Sequence, residues 1–114
     1  VSDLTPDLDL GHGHLLTFFE WAPDDLPANR ERFGYPLPHI ERAGASIDHP
    51  RPDGTGPCLG SIHFDIPEFR QFFPDPGRAL WQVESWDPLT LSPSVLCRGC
   101  GDHGFIRGGR WVPA

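Results

Sequence analysis

The chain has 114 residues, one domain's worth, and a formal net charge of −7 in which every basic residue is Arg. An acidic chain without a basic run is a poor match to a phosphate backbone, so no nucleic-acid partner is expected. No apolar run approaches the roughly 18 residues of a spanning helix, so no membrane partner is expected either.

Pro (14) and Gly (13) make up close to a quarter of the residues, and only 38% are hydrophobic. That balance favours turns and short strands over long helices. Eight Phe and four Trp compensate by burying large areas per residue. A chain of this length hides roughly 65% of its unfolded surface, so a metal staple would help it to net stability. The absence of Lys and Met points to a GC-rich coding sequence. Val1 is what a GTG start codon read literally would give, and no signal peptide is expected. A cytoplasmic location, or membership of something assembled there, is expected.

Residues 1–13 are polar and acidic and read as an irregular arm. Leu15–Trp21 is short, aromatic and stopped by Pro23, which predicts a buried strand. A short helix is expected within Asp24–Arg32, with Pro27 in an early turn. Residues 34–57 carry five prolines and several glycines and read as a long loop with one short strand near Ile47. Ser61–Ile66 alternates polar and apolar residues, a strand signal. Pro67–Phe73 fits one helical turn begun by Pro. Trp81–Trp86 predicts another strand, and Leu89–Leu96, broken by Pro93, an extended edge segment. Gly108-Gly109 between Gly104–Arg107 and Arg110–Val112 predicts a tight hairpin. The fold class expected is mainly β: a small antiparallel sheet or open barrel over residues 1–114, with long Pro/Gly-rich loops and a zinc-knuckle hairpin at the C-terminus.

The chemistry concentrates in Cys97-Arg98-Gly99-Cys100-Gly101-Asp102-His103. Two thiolates two residues apart can bind one ion if the loop between them turns tightly. Gly99 and Gly101 permit that turn and let backbone N–H groups face the sulfurs. A Cys-x2-Cys-Gly loop leading into a hairpin is how zinc knuckles are built. His103 is the expected third donor. Cys58, the remaining thiol, sits in a Gly/Pro turn before a strand and is the expected fourth. His63, His12 or His14 could replace a member of that set. The competing readings are plain buried thiols, or a Cys97–Cys100 redox pair, which would want a helix after the first Cys.

An assembled catalytic site is not visible. His-Glu-x2-His is absent, and so are a nucleophile elbow and a phosphate-binding glycine loop. His39-Ile40-Glu41 matches half of the nucleobase-deaminase pattern, but Leu96 stands where Pro should precede Cys97. A small metal-dependent hydrolase using His12, His14 and a carboxylate is the enzymatic alternative.

Trp81–Ser94 running into Cys97–Arg107 resembles small uncharacterised proteins of actinobacteria and their bacteriophages that carry a C-terminal Cys-x2-Cys-Gly-Asp-His-Gly motif. The resemblance covers about residues 79–114. It implies a setting, phage or prophage genes of high GC content, and no activity. In that setting the expected function is a non-enzymatic virion accessory, such as a capsid decoration or minor capsid protein. Its partner would be the major capsid protein. A regulator that binds a host protein is the alternative.

Overall fold

The computed structural model describes residues 5–114. Strands take 48% of them and helices 12%, so the mainly-β expectation holds. The elements in chain order are β1 (Leu8–Gly11), β2 (His14–Trp21), α1 (Pro27–Phe33), β3 (Ile40–Pro50), β4 (Pro57–Asp65), α2 (Pro67–Phe72), β5 (Trp81–Trp86), β6 (Leu89–Ser92), β7 (Val95–Leu96), β8 (His103–Arg107) and β9 (Arg110–Pro113).

Strands β1 to β6 follow chain order in one curled six-stranded sheet, a half-barrel. Strands β7, β8 and β9 form a second, three-stranded sheet. Every neighbouring pair of the larger sheet but one is antiparallel. The β4–β5 pair is parallel, Phe64 against Trp81, because α2 carries the chain across between them. Both helices begin at Pro, whose fixed φ suits the first turn and whose missing N–H is no loss there.

Residues 40–50 correct the long-loop expectation. Strand β3 is eleven residues long and central, paired with β2 on one side and β4 on the other. Ala43, Ala45, Ile47 and His49 alternate inward and are buried. Its small residues answer a packing need. A side chain at Gly44 would meet the Ile62 carbonyl and lie 2.5 Å from the Phe19 ring. The arm expectation is also corrected in part: residues 8–11 form β1, while residues 1–4 lie outside the described residues.

The core runs through both sheets. Leu16, Ala45 and Phe64 of the half-barrel and Ile106 of the second sheet have no exposed surface. The β8–β9 turn docks on β6: Gly109 N–H donates to the Leu89 carbonyl at 2.8 Å, and Gly108 N–H to Thr90 Oγ1 at 3.0 Å. At the other edge β9 packs beside β1. The second sheet therefore spans the gap between the two edge strands of the half-barrel. No helix among the described residues is long and apolar enough to cross a membrane.

Candidate metal centre

The knuckle forms where β7 ends. Cys97 N–H donates to the Asp102 carbonyl at 2.8 Å, and Gly101 N–H to the Cys97 carbonyl at 2.7 Å. Gly101 sits at φ +83°, in the left-handed region that a side chain would disfavour. The loop so closed aims backbone donors at sulfur. The N–H groups of Gly99 and Cys100 face Cys97, and that of Asp102 faces Cys100. This is the arrangement expected of a knuckle built on Gly99 and Gly101.

The other half of the centre comes from the β3–β4 hairpin. His49 and Cys58 stand directly opposite each other, one pair inside the closing pair Pro50–Pro57. Ligand atoms of His49, Cys58, Cys97 and Cys100 all lie within 4.8 Å of one another. The cysteines are free thiols, and Cys58 Sγ is 3.7 Å from Cys97 Sγ. Two sulfurs about 2.3 Å from one tetrahedral ion stand about 3.8 Å apart. The spacing therefore suits an ion between the sulfurs.

The thiols perturb one another. Burial opposes ionisation of Cys97, yet hydrogen bonds from the Cys100 and Gly99 backbone and from the Cys100 and Cys58 thiols hold it down at about 7. Cys100 moves the other way, to about 11. The Asp102 N–H favours its thiolate, but burial and the Cys97 and Cys58 sulfurs outweigh that bond. Ionised together, the Cys97 and Cys100 thiolates would repel, and a divalent ion among the sulfurs would offset that repulsion.

Beneath the sulfurs lies a buried stack that the sequence reading did not foresee. The ring of Trp111 lies over His14 with centroids 4.0 Å apart, and His14 over His49 at 5.4 Å, all nearly parallel. Asp102 reaches both histidines through one oxygen. Its Oδ2 is 2.6 Å from His14 Nε2 and 3.3 Å from His49 Nδ1. His49 Nδ1 also lies 3.3 Å from the Pro50 carbonyl oxygen. A carbonyl oxygen only accepts, so in the bond to Pro50 Nδ1 carries the ring proton, and Nε2 keeps the lone pair a metal needs. On His14, Nδ1 donates to the His12 carbonyl at 2.8 Å while Nε2 meets Asp102.

The four expected donors divide. Cys58, Cys97 and Cys100 are brought together; His103 is not among them. Its ring is exposed and its Nε2 bonds Ser94 Oγ at 2.8 Å. Extended chain sends successive side chains to opposite faces, so Asp102 turning inward sends His103 out. None of the named substitutes takes its place. His12 sits in the β1–β2 turn at φ +54° and is exposed. His14 bonds Asp102. His63 lies five residues from Cys58 on β4, an odd spacing that puts it on the opposite face. There it lines a cleft of about 430 Å³ with Phe19, Phe69 and Arg78, and burial and the Arg78 charge lower its pKa.

The candidate donor that the sequence reading missed is His49. A hairpin closed by Pro50 and Pro57 was the available signal, because it sets His49 against Cys58. Comparison with protein-family models, with curated proteins and with solved structures gives no match, so the centre is assigned from its own geometry.

Proposed function

We propose that Cys58, Cys97, Cys100 and His49 hold one structural zinc ion, and that the chain works as a zinc-stapled, non-enzymatic binding module. The observation that carries this is the convergence, within 4.8 Å, of one imidazole and one sulfur from the β3–β4 hairpin with two sulfurs from the loop between β7 and β8. Three soft thiolates and one nitrogen favour zinc over hard cations. Four protein donors fill a tetrahedral shell and leave no position for water or substrate, which separates a structural site from a catalytic one. When bound, the ion would supply a cross-link between the β3–β4 hairpin and the knuckle. Large apolar side chains remain for a partner: Tyr35 is 73% exposed and Leu59 63%. In a phage or prophage setting the module would be a virion accessory seated on the capsid.

Elemental mass spectrometry with thiol titration tests the ion. One zinc per chain, with all three thiols protected until a chelator is added, is expected. A metal-free protein whose thiols react at once would overturn the reading. For the virion role, the protein should appear in purified particles; a protein found only free in infected cells points instead to a host partner.

A further inference from the structure

We propose that Asp102, hydrogen-bonded to His14, is a positioning residue of this centre: its Oδ2 beside His49 Nδ1, together with the Pro50 carbonyl that accepts from Nδ1, favours the ring setting and tautomer that leave Nε2 for the three sulfurs. The inference rests on the zinc reading above and deepens it.

Asp102 sits two residues after Cys100 and just ahead of β8, so the residue whose carbonyl closes the knuckle also delivers the carboxylate. A single atom, Oδ2, meets His49 Nδ1 at 3.3 Å and His14 Nε2 at 2.6 Å. The 2.6 Å contact is a proton's distance. Two donors about 2.0 Å from one tetrahedral zinc stand more than about 3 Å apart, so His14, His49 and Asp102 are a support and not a second ion site. His14 and His49 are buried to 3% and 5% exposure, and Trp111 closes the stack over His14. A ring so held loses little freedom when it ligates. Carboxylate–histidine pairs of this kind commonly raise metal affinity by about 10–100-fold.

The shared oxygen makes the arrangement testable by a nearly isosteric change. Asp102→Asn puts at that point either a neutral amide oxygen, a weaker acceptor than a carboxylate, or an NH2, which accepts from neither ring. Chelator competition with Zn2+ should show one ion per chain in the wild type, Asp102→Asn and His14→Gln, with affinity about 10–100-fold weaker in both variants. Nitrogen-15 NMR of the zinc-loaded wild type should show His49 protonated at Nδ1 and bound through Nε2. Co2+ absorption checks that the variants keep the same four donors. Unchanged zinc affinity in Asp102→Asn, or zinc on His49 Nδ1, would overturn the positioning role while leaving the zinc centre in place. A wild type that binds no zinc would overturn the zinc reading itself.

Discussion

At the scale of single residues, what decides a ligand is the face its strand presents. His49 and His103 are both strand histidines near the thiols, yet only His49 points at them. His49→Ala should therefore lose the metal or bind it far more weakly, and His103→Ala should keep one ion per chain, both read by elemental analysis of the folded variants. Protons compete for the same atoms. With Cys97 near 7 and Cys100 near 11, loading at neutral pH must expel thiol protons. Apparent affinity should fall with falling pH, more steeply below about 7, where Cys97 is protonated as well. Chelator competition between pH 8 and pH 5 checks the slope. The cysteines were legible in the sequence because Cys-x2-Cys with glycines has one compact way to turn. The histidine was not, because choosing it needed the pairing of Cys58 with a residue across a turn.

Elements carry the next part of the reading. Ser61–Ile66, Trp81–Trp86 and the Gly108-Gly109 hairpin announced themselves through alternation and glycine. Strand β3 did not: Ala43-Gly44-Ala45 has weak strand propensity, and prolines flank it. It is a strand because it is central, and only small residues let β2 and the Ile62 backbone approach. Gly44→Ala should thus destabilise the fold by about 1–3 kcal/mol, the usual range for overpacking, in a denaturant titration. Gly104 makes the same demand in the second sheet, where an added Cβ would lie 2.5 Å from the Trp111 ring. Gly104→Ala should push Trp111 off His14 and destabilise by a similar amount. A Pro/Gly-rich composition rightly indicated short elements, and it hid one long one.

For the whole molecule, two sheets share one core and one cluster of thiols. The half-barrel has most of the buried apolar residues, so it has a reason to persist without metal. The knuckle and β7–β9 sheet are held by Ile106, Trp111 and the turn on β6, to which an ion in the proposed centre would add. A ligand present at a thousandfold excess over its Kd stabilises by about 4 kcal/mol. At about 4–8 °C per kcal/mol, chelation should lower Tm by roughly 20 °C in a thermal scan. Hydrogen exchange should rise first in residues 95–113. Tm unchanged by a chelator that strips the ion would show that the sheets hold together without it.

The closeness of Cys58 and Cys97 sulfurs, 3.7 Å apart, has another side. A stripped centre places a partly ionised thiol against a second thiol, the arrangement from which an oxidant makes a disulfide. Such a bond would consume two of the four donors. Metal and air would then compete for the same sulfur atoms. A preparation kept aerobic and metal-free should lose loading capacity in step with its free thiols, and a reductant should restore both.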